Sequence, residues 1–514
     1  MEEDQVIDQN LRKAISIAFT SGYQLDREAF ALLKELSKDN KIEKIMENVI
    51  VYVKNLPDKP IFLTKEIIET TIKESNQVEE EPFKFVEGVS RIFKPLSKEY
   101  PSELEILSDP TDTIRSEGNV NNFLKYFQDR FLRIRKLLLE RTDVKNTVSI
   151  NEALRSSSNT KVKIIGMITS IRMRRKIIFM EIEDFEAVAT VLVTSRAKGT
   201  LRKKAENILL DQVVCVEGLR STRDFIVATD FINPDIPERK PKTAKKAIYA
   251  ALLSDLHIGS KKFQNKSFNK FLRWLKGQEG NYRHRSIASR VKYVIIAGDI
   301  VDGIGVYPGQ YEELAIKDIY EQYALAAKLI QQIPEYIEVI IIPGNHDATR
   351  QALPQPAIKK EYGEPVYEAR NIVMIGDPAK IRMNGVEFLL YHGRGLDDVI
   401  ANVPDVTYQN LHETISKAMR YLLKIRHLAP IYGSRTPIAP EIQDYLVIDS
   451  VPDVFHSGHV HIFGSESYRG TLIVNSGSWQ SQTTFQEKMG LYPTWGVAPI
   501  LNLKTLKLTP IKFS

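Results

Sequence analysis

The sequence predicts an α+β protein of several domains, in which a small β-barrel precedes a larger α/β domain. Three observations predict this class: helical periodicity near the N-terminus, short β-rich segments in residues 148–239, and apolar runs alternating with helical segments from residue 248 onward. The chain has 514 residues and 43% hydrophobic content, which suits two to four domains with real cores. The composition excludes a fully disordered chain, a fibre and a disulfide scaffold.

The region before the barrel divides into three predicted parts. Residues 1–75 form a helical N-terminal module, because apolar residues recur there about every 3.6 positions. Residues 76–118 carry an acidic run, several prolines and little periodicity, and we interpret them as a linker with room for short strands. Residues 119–147 contain an amphipathic helix that leads into the barrel.

Residues 148–239 are predicted to form a five-stranded barrel of the OB type, followed by a basic linker at 240–247. This region, taken from Val148 to Ala247, carries a net charge of +7, whereas the whole chain carries +6. The excess predicts a face that tracks the DNA backbone, with four tentative contact residues: Arg174, Arg175, Lys203 and Lys204. Solvated loops are an equal alternative, and the scarcity of aromatic residues leaves a protein-binding barrel open.

The α/β domain is predicted over residues 248–514, and polar motifs follow its strand-like apolar runs. They are Asp255-Leu256-His257, Gly298-Asp299, Gly344-Asn345-His346-Asp347, His392-Gly393 and Gly458-His459-Val460-His461. Sites in open α/β sheets form at the carboxyl ends of strands, so these side chains should converge. Imidazole, carboxylate and amide donors in this number suit two transition-metal ions bridged by a shared carboxylate, an arrangement used in phosphoryl chemistry.

This ordered set of motifs resembles the calcineurin-like metallophosphoesterase superfamily. The resemblance implies that Asp255, His257 and His461 bind one metal ion, that Asn345, His392 and His459 bind a second, and that Asp299 bridges the two. It also implies that His346 is the catalytic histidine. The implied cofactors are two divalent ions, with Mn²⁺ expected first and Mg²⁺, Fe or Zn as alternatives.

A barrel directly before such a domain resembles the B-subunits of replicative DNA polymerases. The stretches PGNHDATRQALPQPAIKKEYG, YHGRGLDDVI and VFHSGHVHIFGSESYRG are similar to the small subunits of archaeal family D DNA polymerases. That family implies a 3′-to-5′ exonuclease that proofreads single-stranded or mismatched 3′ ends, within a DNA-directed DNA polymerase whose polymerisation resides in a large subunit. Its implied partners are that large subunit, DNA and, through the complex, the sliding clamp. Its implied location is the archaeal cytoplasm, associated with the nucleoid and without a membrane.

Two other functions stay open at this point. The chain could be a scaffold for the large subunit with a vestigial metal site, or a stand-alone metal-dependent phosphodiesterase of DNA repair. Arg394 is a tentative phosphate ligand or a surface arginine. His456 could orient a metal ligand or only pack, and Asp302 could support the bridging carboxylate or cap a helix. Residues expected to be structural, in the core or at an interface, are His284, His412, His427, Trp479 and Phe485.

Overall fold

The computed structural model describes residues 2–36, 42–54, 60, 62–77, 93–221 and 225–514. The chain divides into two compact units, Met1–Arg91 and Ile92–Ser514. No helix in the described ranges is long and apolar enough to span a bilayer.

The first unit consists of helices and one pair of very short strands. In chain order its elements are α1 (Glu2–Thr20), β1 (Gln24–Leu25), α2 (Arg27–Leu36), α3 (Ile42–Lys54), β2 (Phe62–Leu63) and α4 (Lys65–Gln77). Strands β1 and β2 pair in parallel. Apolar residues at helical spacing, such as Leu11, Ala14 and Ala18 of α1, form its buried core.

The second unit opens with a short 3₁₀ helix (Leu96–Glu99), an edge strand β3 (Leu104–Ser108) and the long helix α5 (Val120–Leu139). The predicted linker at 76–118 left room for short strands, and β3 is such a strand: it pairs antiparallel with a strand at Ala379–Met383, far along the chain. Residues 78–92 of that expected linker lie outside the described residues. The alternation of apolar and polar residues in LEILS is weak, and it does not indicate a strand that pairs with such a distant segment.

A closed five-stranded barrel follows α5. Its elements are α6 (Ile150–Arg155), β4 (Lys161–Arg174), β5 (Ile177–Glu183), β6 (Val188–Val193), α7 (Gly199–Glu206), β7 (Val213–Arg220) and β8 (Phe225–Ile232), with strand order β4-β5-β6-β8-β7. Five strands were predicted and five are present, and in β5 and β6 buried residues alternate with more accessible ones. Assignment of the barrel to the OB type stays a prediction.

The rest of the unit is a sandwich of two six-stranded sheets. The elements from residue 249 onward are β9 (Tyr249–Leu253), α8 (Asn265–Leu275), α9 (Tyr282–Ala288), β10 (Val291–Ala297), α10 (Gln310–Glu313), α11 (Ile319–Ile330), β11 (Glu338–Ile342), α12 (Lys360–Ala369), β12 (Ile372–Met374), β13 (Ala379–Met383), β14 (Val386–Leu390), α13 (Leu396–Asn402), a 3₁₀ helix (Tyr408–Asn410), α14 (Leu411–Ile425), β15 (Val454–Ser457), β16 (Phe463–Tyr468), β17 (Thr471–Ser476), α15 (Thr484–Lys488), β18 (Val497–Asn502) and β19 (Leu508–Lys512).

The first sheet has the order β12-β11-β10-β9-β18-β19, and the second has the order β16-β17-β15-β14-β13-β3. A fully buried core lies between the two sheets and includes Leu252, Ile295 and Phe388. Helices α8, α11 and α12 cover the outer face of the first sheet, while α13 and α14 cover that of the second. Strands β9, β10 and β11 are therefore buried on both faces, as their continuous apolar sequences predict.

Helix α5 joins the barrel to the sandwich. Its residues Phe131, Ile134 and Leu138 pack against barrel strands β4 and β7, while Tyr126 enters the core of the second sheet. The basic segment 240–247 is also bound in place: the Lys242 amide donates to Asp453 at 2.8 Å, and the Ala244 amide donates to the Leu503 carbonyl at 2.8 Å.

Candidate metal centre

The five polar motifs all lie at the carboxyl ends of strands, as predicted. The first three follow the parallel neighbours β9, β10 and β11 of the first sheet, and the last two follow β14 and β15 of the second. Both sheets of the sandwich therefore contribute side chains to one centre.

The first group of predicted ligands is tightly clustered. Nε2 of His257 lies 3.0 Å from Nε2 of His461, and the latter lies 3.3 Å from an Asp255 carboxylate oxygen. These three side chains are buried, and their donor atoms lie within 4.8 Å of one another. Two imidazole nitrogens and a carboxylate aimed at one point form a donor set that suits a divalent transition-metal ion.

The second group lies beside the first and shares its carboxylates. Nε2 of His392 lies 3.3 Å from Oδ2 of Asp299 and 3.1 Å from Oδ1 of Asn345. The same Asp299 oxygen lies 3.7 Å from Nε2 of His257, a ligand of the first group. Asp299 therefore stands between the two groups, where a bridging carboxylate is needed.

Neighbouring groups hold the imidazoles with Nε2 toward the centre. The Nδ1–H of His392 donates to the Ala297 carbonyl at 2.9 Å, and Nδ1 of His257 lies 3.0 Å from the Asp302 carboxylate. The side-chain amide of Gln486 lies 2.7 Å from Nδ1 of His461. Such contacts fix the ring orientation of metal-binding histidines, so the residues present fit a metal centre.

His459 differs from the other predicted ligands. Its ring centroid lies 5.1 Å from that of His392, but its Nε2 contacts the Asp397 carboxylate at 3.0 Å. Asp397 lies in the first turn of helix α13 and also accepts a hydrogen bond from the Tyr408 hydroxyl at 2.9 Å. In this arrangement only Nδ1 of His459 is available to a metal ion.

The backbone of the centre is strained. Five of the seven predicted ligands are non-glycine residues in the left-handed region: Asp255 (φ 52°), His257 (φ 51°), Asp299 (φ 54°), His459 (φ 72°) and His461 (φ 58°). Each such conformation costs on the order of 1 kcal/mol or more and is typical of functional sites. Two glycines allow the backbone to pass close to the carboxylates of the centre. A Cβ on Gly344 would lie 2.2 Å from an Asp299 oxygen, and one on Gly458 would lie 2.4 Å from an Asp255 oxygen.

The electrostatics of the centre reflect buried acids facing buried bases. Burial alone would lower the pKa of His257, but hydrogen bonds to Asp255 and Asp302 raise that pKa to about 10. Burial would also lower the pKa of His392, but the facing Asp299 carboxylate outweighs that effect and raises the pKa to about 10. The facing imidazoles lower the pKa of Asp299 well below its usual range, against the effect of burial. The imidazoles and carboxylates of the centre therefore stabilise one another's charged forms.

His346 lies beside His257 and Asp299 and lines the adjoining cavity. Its backbone N–H donates to Asp299 at 2.8 Å, and its Nδ1–H donates to the Asp302 carbonyl at 2.6 Å. Burial lowers the pKa of this imidazole to about 4. Its Nε2 therefore carries a lone pair and can accept a proton or a hydrogen bond.

A cavity of about 270 Å³ opens from the centre. Its lining includes the largely apolar side chains of Tyr307, Phe485 and Met489, together with Tyr408 and Arg435. A second cavity of about 440 Å³ shares His346 and is lined by basic residues of the 350–359 segment. His346 therefore lines two cavities, which together offer space for an extended substrate.

The tentative substrate residue Arg394 does not line either of these cavities among the described residues. Its Nη1 donates to the Gln351 carbonyl at 2.7 Å, and the Gln351 amide donates to the Asn345 carbonyl at 3.0 Å. In the described part of the chain, Arg394 reaches the centre through Gln351. Arg435 was not predicted, and it lines the first cavity.

The four tentative DNA-backbone residues belong to one region of the barrel but have different surroundings. Arg174 and Arg175 are exposed at the β4–β5 hairpin. Lys203 and Lys204 of α7 instead form ion pairs of 2.8 Å with Asp405 and 2.7 Å with Asp230. Only the hairpin arginines therefore face solvent without a carboxylate partner in the described structure, and their role stays a prediction.

The remaining histidines lie outside the centre. His456 is buried against the Ser476 hydroxyl, and burial lowers its pKa to about 3, which favours the packing alternative. His427 contacts Asp444 at 2.8 Å and His412 contacts the Tyr492 carbonyl at 2.8 Å. The expectation for Trp479 is confirmed, since it is 1% exposed in the core. Phe485 differs, because it is 45% exposed and lines the cavity.

Sequence reasoning missed Asp397 and Gln486. Asp397 lies five residues after His392, in the stretch HGRGLDD, and nothing in that spacing indicates a contact with His459. Gln486 sits beside Phe485 in a polar stretch after Trp479. The one available signal was a threonine-to-glutamine capping pattern, TTFQ, which predicts a helix start and not a contact with a ligand.

Comparisons with known proteins place the chain among polymerase subunits. The family model for the B-subunits of DNA polymerases alpha and epsilon matches residues 250–463. The DNA polymerase II small subunit of Methanothermobacter thermautotrophicus is 38% identical over 488 residues, covering 95% of this chain and 97% of the relative. That of Pyrococcus furiosus is 42% identical over 395 residues, and the match spans 76% of this chain and 63% of the relative. A solved structure described as a novel archaeal phosphodiesterase aligns with 51% of this chain and 99% of its own, at 16% identity and a TM-score of 0.25.

Proposed function

Since this chain belongs to the family of archaeal DNA polymerase II small subunits, we propose that it carries the metal-dependent 3′-to-5′ exonuclease of such a polymerase. Polymerisation resides, in this proposal, in a separate large subunit that binds this chain. The substrate is the 3′ end of single-stranded or mismatched DNA, from which the enzyme removes nucleotides by hydrolysing phosphodiester bonds.

One observation carries the proposal: two adjoining groups of metal-binding side chains share Asp299 and adjoin His346. Asp255, His257 and His461 would hold one ion, while His392 and Asn345 would hold the second with His459. Divalent ions bound there would supply positive charge that polarises a phosphodiester and activates water for in-line attack. The mixed nitrogen and oxygen donors suit Mn²⁺, with Mg²⁺, Fe and Zn as alternatives.

The chain's own residues supply the rest of the chemistry. His346 lies beside the shared carboxylate and presents an Nε2 lone pair, so it can hydrogen-bond the phosphate or, once protonated, donate to the leaving 3′ oxygen. Asp302 positions two histidines at once, through its carboxylate to His257 and its carbonyl to His346. The two cavities that His346 lines give room for the DNA strand.

Excision of a 3′ mismatch by the full chain with its large subunit tests this function. We expect Mn²⁺-stimulated release of the terminal nucleotide, loss of activity with EDTA, and a loss of about 10²–10⁴-fold in rate for His346→Ala, as removal of an acid–base group predicts. His284→Ala, which changes a histidine outside the centre, is the matched control. An unchanged rate for His346→Ala contradicts the proposed catalytic role.

Metal content separates this proposal from a scaffold. The exonuclease predicts close to two transition-metal ions per chain after gentle purification. Less than one ion per chain, together with an inactive complex that still assembles, favours a scaffold. Recovery of an active chain with no large partner favours a stand-alone phosphodiesterase.

A further inference from the structure

A half-buried tyrosine and an exposed phenylalanine form part of the cavity wall beside the centre. The rings of Tyr307 and Phe485 have centroids 5.5 Å apart and planes inclined by 34°. Phe485 is 45% exposed, although it lies six residues after the fully buried Trp479. The Tyr307 ring is also close to His346, with a centroid distance of 6.1 Å. Aromatic surface thus begins directly beside the proposed catalytic histidine.

The two rings are held in place by one carboxylate. The Tyr307 hydroxyl donates to Oε2 of Glu313 at 2.9 Å, and Oε1 of the same carboxylate accepts the backbone N–H of Thr484 at 3.0 Å. Thr484 begins α15, the short helix that carries Phe485. A rigid support of this kind is not needed by a side chain that only fills space, but it reduces the entropy lost when a ligand stacks.

The same helix is tied to the metal centre. The Thr483 hydroxyl accepts the Gln486 backbone N–H at 3.3 Å, which caps α15, and the Gln486 side chain contacts His461 at 2.7 Å. Successive residues of α15 therefore present Phe485 to the cavity and Gln486 to a predicted metal ligand. The position of the aromatic surface is fixed relative to the reacting bond.

We propose that Tyr307 and Phe485 form a stacking platform for a nucleobase of the substrate strand, within one nucleotide of the bond that is cut. This inference rests on the proposed function and specifies how that site recognises its substrate. Every base offers an aromatic face, so such a platform holds DNA without reading its sequence, and stacking contributes about 1–3 kcal/mol per base. Recognition independent of sequence is what removal of any terminal nucleotide requires.

Fluorescence of 2-aminopurine tests the platform without any reaction. The full chain with its large subunit is titrated, in EDTA, with a single strand that carries 2-aminopurine at its last or penultimate position. Wild-type protein should quench one of these probes by stacking. Phe485→Ala should abolish the quenching and weaken binding by about 5- to 150-fold, the range that 1–3 kcal/mol represents. Phe485→Trp should restore both, and Phe62→Ala, at a residue 50% exposed in the first unit, should change neither.

Hydrolysis gives the second measurement. Phe485→Ala should raise KM for a normal 3′ end by a similar factor, and should leave unchanged the KM for a strand whose last two nucleotides lack bases. Equal quenching and equal KM values for wild type and Phe485→Ala overturn the platform. The platform is also overturned if Phe485→Ala still quenches the probe but no longer binds the large subunit, which would assign the two rings to a protein contact. A wild-type complex that stacks the base but hydrolyses no 3′ end leaves the platform standing and refutes the exonuclease.

Discussion

Arg130 offers the sharpest test of how the barrel is held to the sandwich. This residue of α5 is fully buried, and its Nε donates to the buried Asp444 carboxylate at 2.8 Å. Its other nitrogens donate to the Pro430 carbonyl at 2.6 Å, the Asp211 carbonyl at 3.3 Å and the Tyr126 hydroxyl at 2.6 Å. One guanidinium therefore joins the barrel, helix α5 and the sandwich.

Arg130→Met removes this charge but keeps much of the apolar stem. Asp444 is then left buried opposite His427 without its arginine, and breaking a buried ion pair in this way costs about 3–5 kcal/mol. Arg133→Met on the same helix is the matched control. Arg133 is 22% exposed, pairs with Asp129 and Asp449, which are 28% and 47% exposed, and donates to the Asp444 carbonyl at 2.7 Å. Its loss should therefore cost less than that of Arg130, about 1–2 kcal/mol.

Urea unfolding measures the difference between the two variants. The chain's three tryptophans all lie in the sandwich, between residues 274 and 495, so their fluorescence follows the unfolding of that part. We expect a much lower midpoint for Arg130→Met than for Arg133→Met. The double variant Arg130→Met/Asp444→Asn should recover part of the loss, because it neutralises the orphaned charge. Equal midpoints for the two single variants would refute the reasoning, since burial would then make no difference to the ion pair.

Three further predictions concern pH, metal affinity and DNA binding. Burial and the nearby Arg130 lower the pKa of His427 from 6.5 to about 4. The unfolded chain therefore takes up the proton first, and the free energy of unfolding should fall by about 3 kcal/mol as the pH drops from 6.5 to 4. Urea midpoints should decline less steeply with falling pH for His427→Gln than for the wild type, and an identical pH dependence contradicts this. Asp302→Asn should weaken metal retention about 10–100-fold by elemental analysis, with Asp405→Asn as an inert comparison. Changing Arg174 and Arg175 to alanine should reduce the slope of log K against log salt for single-stranded DNA by about 1.4. The same change at Lys203 and Lys204, which already face carboxylates, should reduce it less. A slope equal to that of the wild type would assign the hairpin charge to solvation or to a protein contact.

The parts of the fold that could be predicted are those with a local signal. Strands β9, β10 and β11 are continuous apolar runs that end in polar motifs, and parallel pairing alone brings those motifs together. The barrel strands show alternation, and α5 shows a helical period. By contrast, the sequence from Tyr311 to Ile333 favours one helix, but the structure has two in this region. Helix α10 ends at Glu313, and α11 begins only at Ile319 after its capping residue Asp318. At that break the Glu313 carboxylate accepts hydrogen bonds from Tyr307 and from the first residue of α15. These contacts join distant segments, and hydrophobic periodicity does not encode them.

The candidate centre shows the same division. His257 and His392 could be predicted because motifs and strand ends are local features of the sequence. The contact of His459 with Asp397 and that of His461 with Gln486 depend on how α13 and α15 pack, which no spacing reports. The exposed position of Phe485 could not be distinguished from a core position, since its neighbour Trp479 is equally apolar and is buried.

The edge strand β3 changes how the chain must assemble. Glu105 of β3 and Arg382 of β13 form an ion pair although they are 277 residues apart in sequence. The barrel is therefore an insertion within the sandwich and not a separate domain placed before it. During synthesis β3 stays unpaired until the whole barrel and most of the first sheet have been made. Pairing of strands so far apart in sequence is slow. A chain shortened to begin at Asn119 would complete its barrel but leave β13 as an open sheet edge, the kind of surface on which copies of a protein aggregate.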